Sequence, residues 1–316
     1  MVHQWRFLDA RLNHYLVEDF LVHDTYSVVA LAAHQVDAEQ YKQAVADILL
    51  FIEEEHAVWL DGVDVLALMQ QTVSFLPSGC KSFDDILSGG FRDGTVTELF
   101  GSSSAGKTQI CIQTAAYAAL HGSVVVYIDT CNSFSPSRLC DVLLGLLGSK
   151  SNETWSNIAE ALKLVMCYRV HDVFSLLELL HQMDKTFGAG VQESEGVWLR
   201  DTRLIVLDSI SSVVSPILGS SYVQGHALMM KCGQTLKKIA SENSLRILVT
   251  NHMVTGGNRI AKPALGESWK VVPNIRLHIS REAGSDLCCV SLTKHSSMSC
   301  NKQAFFRLTS AGMESP

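Results

Sequence analysis

The sequence has no long uninterrupted apolar stretch and no pair of cysteines at metal-binding spacing. No run approaches the roughly 20 apolar residues that cross a bilayer, and the amino terminus lacks a basic segment followed by an apolar one. We therefore expect a soluble intracellular protein whose nine cysteines are reduced thiols. The C-x-x-C spacing does not occur, which argues against a metal cluster. With 47% hydrophobic residues and no low-complexity segment, the composition is that of a globular protein.

Basic residues are scarce in the first part of the chain. Residues 1–230 contain 13 Lys and Arg against 27 Asp and Glu, a net charge of −14. Residues 231–310 contain 12 against 4, a net charge of +8. This asymmetry is typical of a segment that faces a polyanion or an acidic partner. Late basic side chains that pair with early acidic ones in the folded molecule would explain it equally well.

The hydrophobic pattern divides the chain into a small helical part and a larger α/β part. Residues 1–56 have apolar positions at helical spacing and predict a helical N-terminal domain, and residues 57–78 predict a linker that is a possible partner-docking segment. From residue 79, short runs rich in Val and Ile predict strands that are buried on both faces, and hence a mostly parallel sheet flanked by helices. The four clearest runs are Thr95–Phe100, Val124–Asp129, Leu204–Asp208 and Arg246–Asn251.

Two further patterns extend this architecture. Leu228, Cys232, Leu236 and Ile239 recur at spacings of 4, 4 and 3 and predict one buried helix face. Short runs near residues 272–279, 288–293 and 304–308 predict extra strands, which we expect to pair in antiparallel fashion.

The clearest chemical signal follows the first predicted strand. Gly101 and Gly106 frame the sequence GSSSAGKT, which stands between a predicted strand and a predicted helix and is a complete phosphate-binding loop. In such a loop backbone amides turn toward phosphate oxygens, Lys107 reaches the β and γ phosphates, and the Thr108 hydroxyl ligates Mg²⁺. The sequence thus predicts binding of ATP with Mg²⁺. The predicted nucleotide-binding residues are Gly101, Ser102, Ser103, Ser104, Ala105, Gly106, Lys107 and Thr108.

A second metal ligand is expected at the end of another strand. Asp208 closes the apolar run LIVLD, which would deliver a carboxylate to the sheet edge where ligands bind in open α/β folds. Together with Thr108 it would hold Mg²⁺ directly or through water. Asp129, which ends VVVYID, competes for this role.

These segments resemble a known family. From about residue 78 to 308 the chain is similar to the eukaryotic form of the RecA-superfamily recombinase core, and among recombinase paralogues it is most similar to the D type. The segments that bear this similarity are YIDTCNSFSPSRL, LIVLDSISSVVSPILG, GHALMM, LVTNH and KPALGESW. The resemblance implies a RecA-type P-loop core and a nuclear ATP-binding protein of homologous recombination. It also implies a heteromeric complex with other paralogues that assists the recombinase on DNA.

Two positions depart from the pattern of active recombinases. The family places a water-polarising glutamate where this chain has Cys131, and a γ-phosphate-sensing glutamine where it has His252. A thiol with a pKa near its reference value of about 8.5 is a poor base at neutral pH. We therefore assign no catalytic residue and expect weak hydrolysis. The alternative is a non-hydrolysing adaptor in which ATP is a structural clamp at a subunit interface.

The resemblance also implies two DNA-contacting loops, near residues 215–225 and 253–270. The first contains no Lys or Arg, so any grip on DNA is expected from Arg259, Lys262 and Lys270 in the second. Trp269 would offer a stacking surface there, or would pack beneath its own loop.

In the recombinases, a Phe-x-x-Ala segment before the core inserts into the neighbouring subunit. The aligned positions here are Leu60 and Val63, which would fit that pocket poorly and so favour a different partner. The alternative is that Trp59, Leu60 and Val63 seal the linker against this chain's own core. Nuclear localisation is implied by the resemblance alone, because Lys237-Lys238 is only a pair and not a basic import cluster.

Overall fold

In the computed structural model, the described residues are 61–64, 66–67, 73–148, 151–188, 201–220, 222–255, 261–282 and 284–316. The chain forms two compact units, Met1–Thr72 and Val73–Pro316, and the boundary between them lies inside the predicted linker. The predicted domain 1–56 and Leu60 lie outside the described residues. In the part of the chain that is described, no helix is long and apolar enough to span a lipid bilayer.

The larger unit is built on one extended sheet. Its strand order is β12-β11-β10-β9-β3-β7-β6-β4-β5, with β8 paired to β7, and a separate two-stranded sheet joins β1 to β2. The strands are β1 (Phe75–Leu76), β2 (Phe91–Arg92), β3 (Thr95–Gly101), β4 (Val124–Asp129), β5 (Val165–Arg169), β6 (Thr202–Asp208), β7 (Arg246–Thr255), β8 (Ala261–Pro263), β9 (Ile275–Arg281), β10 (Leu287–Lys294), β11 (Gln303–Thr309) and β12 (Gly312–Glu314).

Helices cover both faces of this sheet. They are α1 (Lys81–Ile86), α2 (Lys107–Leu120), α3 (Pro136–Leu147), α4 (Asn152–Lys163), α5 (Val173–Gly188), α6 (Ile210–Ser220), α7 (Tyr222–Glu242) and α8 (Gly266–Trp269). The helices α1 to α4 pack in one hydrophobic cluster, and α5 to α8 pack in the other. The sheet therefore separates two cores, as the expected RecA-type architecture requires.

The alternation of side chains along β4 shows why its sequence is apolar throughout. Val125 and Tyr127 belong to the first cluster, whereas Val126 and Ile128 belong to the second. Successive side chains of a strand point to opposite faces, so a strand covered on both sides favours apolar residues at consecutive positions. All four predicted strands are confirmed by β3, β4, β6 and β7.

Helix α7 confirms the predicted buried face. Cys232, Leu236 and Ile239 are fully buried, and Leu228 packs partly buried against the same cluster. Gly233 lies on this helix against Val272, which a Cβ atom would approach to 2.7 Å. The lack of a side chain at Gly233 thus allows the chain that follows α8 to pack closely on α7.

The strand pairing differs from the prediction in one respect. β10 and β11 pair in antiparallel fashion as expected, but β9 pairs parallel to β3, with Thr97 opposite Ile275. The reason is topological, because the segment after β7 carries the chain back to the edge where β3 begins. The sheet therefore extends by one more parallel strand before it reverses.

Candidate nucleotide site

The loop between β3 and α2 has the geometry of a phosphate cradle. Gly106 has a φ of 103°, in the left-handed region that favours glycine. Gly101 lies so close to β9 that a Cβ atom on it would come within 2.2 Å of the Ile279 carbonyl oxygen. Both glycines are thus required by the backbone path. The loop ends at the first turn of α2, whose unpaired amides are suited to an anion.

Lys107 is buried at the centre of this loop. Its ammonium donates hydrogen bonds to the carbonyl oxygens of Gly101 at 2.9 Å and Ser102 at 2.8 Å. Burial lowers the pKa of Lys107, and the nearby negative charge of Asp208 opposes that shift. The cation is therefore held at the loop by backbone carbonyls and by a carboxylate in its surroundings.

Asp208 lies beside the hydroxyl that the sequence pairs with it. The Thr108 hydroxyl donates to Asp208 Oδ2 at 2.7 Å, and the carboxylate is almost completely buried. Tyr127 donates to the same oxygen at 3.1 Å, and Thr250 donates to Oδ1. Burial, followed by the charge of Asp208, raises the pKa of Tyr127 well above its usual value, so the phenol remains a donor. The ends of β4, β6 and β7 thus converge on one carboxylate.

Asp129, the competing candidate, has a different task. Its Oδ1 accepts backbone N–H groups of Cys131 at 3.1 Å and Ser133 at 3.0 Å, and its Oδ2 accepts the N–H of Phe134 at 3.0 Å. Both oxygens therefore hold the turn that follows β4. The contact with Thr108 is made by Asp208, which favours Asp208 over Asp129 as the metal ligand.

Cys131 and His252, the two positions that depart from the recombinase pattern, are in contact. A hydrogen bond from His252 is the largest of the effects that lower the pKa of the Cys131 thiol from 9.0 to about 6. Burial opposes this shift. Cys131 Sγ also lies 3.7 Å from Ser209 Oγ, which is 3.0 Å from His252 Nε2. The pKa of Cys131 is thus lower than the ordinary thiol value expected from the sequence, because sequence spacing does not reveal this contact between the turn after β4 and His252 on β7.

Trp269 is completely buried, so the predicted stacking surface is wrong and the packing alternative is correct. Its indole N–H donates to Glu98 Oε1 at 3.1 Å. Glu98, also fully buried on β3, accepts a second bond from Asn251 Nδ2 at 2.8 Å and forms an ion pair with Arg276. One carboxylate thus joins β3, β7, β9 and α8.

The DNA-contact candidates lie in the segment that follows β7. Lys262 is exposed on β8, Lys270 pairs with Glu267 just after α8, and Arg259 lies outside the described residues. The other expected loop, residues 215–225, belongs to α6 and α7, apart from residue 221, which is not described. Ile217 and Leu218 of this stretch pack against the second core as part of α6.

Several site residues were not anticipated from the sequence. Tyr127, Thr250 and Ser133 all donate to Asp208, Ser133 at 3.3 Å. Tyr127 and Thr250 stand in the predicted strands VVVYID and RILVTN, two and one residues before the polar ends, so a search for hydroxyls near strand ends would have found them. Ser209 and Glu98 gave no comparable signal, because their partners are distant in sequence.

The residues present fit a nucleotide and a divalent cation. Gly101 and Gly106 allow the loop to pass closely against Ile279 and Leu308, and Lys107 supplies the positive charge that phosphate oxygens need. Thr108 and Asp208 offer two oxygen ligands in hydrogen-bond contact, the donor chemistry that Mg²⁺ prefers. The arrangement supports binding of a nucleoside triphosphate with its metal at the carboxyl ends of the parallel strands.

The parallel sheet with its two cores and this loop define a RecA-type P-loop protein. The Rad51 family model matches residues 69–316, and the chain belongs to this family. It is 33% identical over 240 residues to the DNA repair protein RAD51 homolog 4 of Bos taurus, covering 75% of this chain and 71% of that protein. It is 27% identical to the DNA repair and recombination protein RadB of Halobacterium salinarum, covering 78% and 97%. The solved RadB recombinase structure matches with a TM-score of 0.61 at 25% identity, covering 77% of this chain and all of that chain.

Proposed function

We propose that this chain is a D-type recombinase paralogue that binds ATP and Mg²⁺ and acts in homologous recombination and double-strand break repair in the nucleus. It works within a heteromeric complex of paralogues that assists the recombinase on single-stranded DNA. Membership of the Rad51 family and the names of the RAD51 homolog 4 relatives support the assignment to recombination. The single observation that carries the nucleotide role is the contact of Thr108 with Asp208 beside the buried Lys107.

Each group at this site has a defined task toward the nucleotide. The amides at the start of α2 and the Lys107 ammonium bind the phosphates. To do so, Lys107 gives up its hydrogen bonds to the carbonyl oxygens of Gly101 and Ser102 and donates to phosphate oxygens instead. Thr108 and Asp208 hold the metal, and Tyr127 and Thr250 orient the Asp208 carboxylate. Bound Mg²⁺ supplies charge neutralisation for the β and γ phosphates.

Turnover is proposed to be weak because the water-orienting position is Cys131. A thiolate at this position offers one soft acceptor atom, whereas a carboxylate offers two hard oxygens that bind water in fixed directions. The hydrogen bond with His252 further engages the thiol. The same observation favours the second candidate function, an adaptor in which ATP clamps a subunit interface without turnover.

ATP turnover by the purified paralogue complex, with and without single-stranded DNA, separates these functions. We expect slow hydrolysis that DNA accelerates and that Lys107→Ala in this subunit reduces. If this variant leaves hydrolysis unchanged while the complex still requires ATP for assembly, the clamp is correct. If neither hydrolysis nor assembly depends on ATP at this site, the proposed nucleotide function is wrong.

A further inference from the structure

Side chains from three neighbouring strands form a hydrogen-bonded chain beside the nucleotide loop. Cys131 follows β4, Ser209 follows β6 and His252 lies on β7. The Cys131 sulfur lies 3.7 Å from Ser209 Oγ, and Ser209 Oγ lies 3.0 Å from His252 Nε2. We call these three residues the thiol relay, because a proton can pass from the sulfur through the hydroxyl to the imidazole.

The surrounding chain holds the base of the thiol relay in place. The backbone N–H of His252 donates to Ser211 Oγ at 3.0 Å, and Ser211 Oγ donates to Ser209 Oγ at 3.4 Å. Ser209 itself is completely buried. A nucleophile within reach of a base that a third group orients is the arrangement found at reactive thiols and hydroxyls.

The sulfur end of the thiol relay is open to solvent. Cys131 is exposed, so a dissolved reagent can reach its sulfur while the proton leaves on the buried side. The pKa of about 6, for which the His252 hydrogen bond is the largest cause, agrees with this geometry. Cys167 on β5 is also exposed, but burial raises the pKa of its thiol. Exposure alone therefore does not make a thiol reactive.

The thiol lies next to the groups assigned to the nucleotide. Ser209 directly follows Asp208, and Ser133, two residues after Cys131, donates to Asp208 Oδ2 at 3.3 Å. The charge of Cys131 acts on Lys107 of the phosphate loop. A group attached to the sulfur would thus compete for the space that the terminal phosphate and its metal are expected to use.

We propose that Cys131 is a covalent modification site, at which a peroxide and then a low-molecular-weight thiol form a mixed disulfide that closes the nucleotide site. The reaction at the sulfur follows from the thiol relay and from the exposure of Cys131. Closure of the site rests in addition on the proposed nucleotide function.

The reaction has two steps. The Cys131 sulfur attacks one peroxide oxygen, so an S–O bond forms as the O–O bond breaks, the sulfur is oxidised and the peroxide is reduced. The departing hydroxide takes the proton that left the thiol through Ser209 and His252, and leaves as water. A low-molecular-weight thiol then attacks the sulfenic sulfur, an S–S bond forms as the S–O bond breaks, and hydroxide leaves as water with the proton of that thiol. A reducing thiol reverses the modification by exchange.

The first measurement locates the modified sulfur. The full chain is treated with hydrogen peroxide and glutathione near pH 7, and each cysteine is quantified by peptide mass spectrometry. The larger thiolate fraction of Cys131 is partly offset by its weaker nucleophilicity, so we expect it to react about fourfold faster than a thiol with a pKa of 9.0. Cys167 is the internal control and should react more slowly than Cys131. Equal modification of the two cysteines would overturn the proposal.

The second measurement tests whether His252 activates the sulfur. Alkylation of Cys131 by iodoacetamide should be half-maximal near pH 6 in the parent and should shift toward the ordinary value of 9.0 in His252→Phe. His252→Gln keeps a hydrogen-bond donor and should shift less. His181→Phe, at an exposed histidine of α5, is the matched control and should keep the parent profile. The charged groups near the sulfur are the same in every variant: Lys107, Asp129 and Asp208. A parent profile in His252→Phe would show that the relay does not activate the thiol and would refute the site.

The third measurement connects the modification to the nucleotide. The treated parent should lose binding of a fluorescent ATP analogue and regain it with dithiothreitol, whereas treated Cys131→Ser should match its own untreated form. Mg²⁺ with ATP should in turn slow the modification of Cys131. A fully modified parent that binds the analogue as before would overturn the closure of the site. If the untreated chain binds no ATP, the proposed nucleotide function fails instead, and the first two measurements still decide whether Cys131 is the modification site.

Discussion

Replacing Lys107 with alanine tests the nucleotide site most directly. In the structure its ammonium donates to the carbonyl oxygens of Gly101 and Ser102. A phosphate that takes this ammonium gains a charge-assisted hydrogen bond of about 1.5 to 3 kcal/mol but displaces those neutral contacts. We therefore work with a net loss of about 2 kcal/mol on removal of the amine, which is about 30-fold in affinity.

The assay is titration of a ribose-labelled fluorescent ATP analogue in the presence of Mg²⁺. Lys163→Ala is the matched control, because Lys163 is an exposed lysine on α4 paired with Glu160. It should leave the affinity unchanged. Urea unfolding of Lys107→Ala shows whether the loop still folds, since the variant also loses two hydrogen bonds to the backbone. An affinity within about twofold of the parent, or ~0.4 kcal/mol, in a folded variant would refute the assignment.

Three other predictions concern the catalytic position, pH and the linker. Cys131→Glu should raise ATP hydrolysis without tightening ATP binding. Adding His252→Gln should raise hydrolysis further, because residues 131 and 252 are in contact. An unchanged kcat in both variants would show that another group limits turnover. The folded-state pKa of Cys131 is lowered from 9.0 to about 6, so its stabilising effect is present above pH 9 and is lost as pH falls toward 6. Under reducing conditions, the advantage of the parent over Cys131→Ser in urea unfolding should grow between pH 6 and 9, and a constant difference would contradict the low pKa. The double variant Leu60→Asp with Val63→Asp should no longer co-purify with a paralogue partner but should still bind ATP. An unfolded chain would instead show that these residues seal the linker against their own core.

Local sequence patterns were sufficient for much of the core. The P-loop and the strand that ends at Asp208 are contiguous segments, and the residue types within each segment indicate its local structure. Both segments were predicted correctly as structure. The helix face through Leu236 followed from periodicity for the same reason. Binding roles at these positions remain predictions.

The remaining features depend on contacts between distant segments. The sequence left open whether Trp269 is exposed or buried, and its indole N–H bonds to Glu98, which is 171 residues away in sequence. The acidity of the Cys131 thiol depends on His252, two strands away in the sheet. Parallel pairing of β9 depends on the path of the preceding segment. No local pattern contains this information.

The shared carboxylate of Glu98 limits how the segment 261–270 can move. Withdrawal of Trp269 would leave a fully buried carboxylate with one donor fewer, in a setting where unpaired polar groups are costly. Any rearrangement of this segment must therefore turn about Trp269 as a fixed pivot. Lys262 stands seven residues before that pivot and Lys270 directly after it, so such a rearrangement would displace Lys262 more than Lys270.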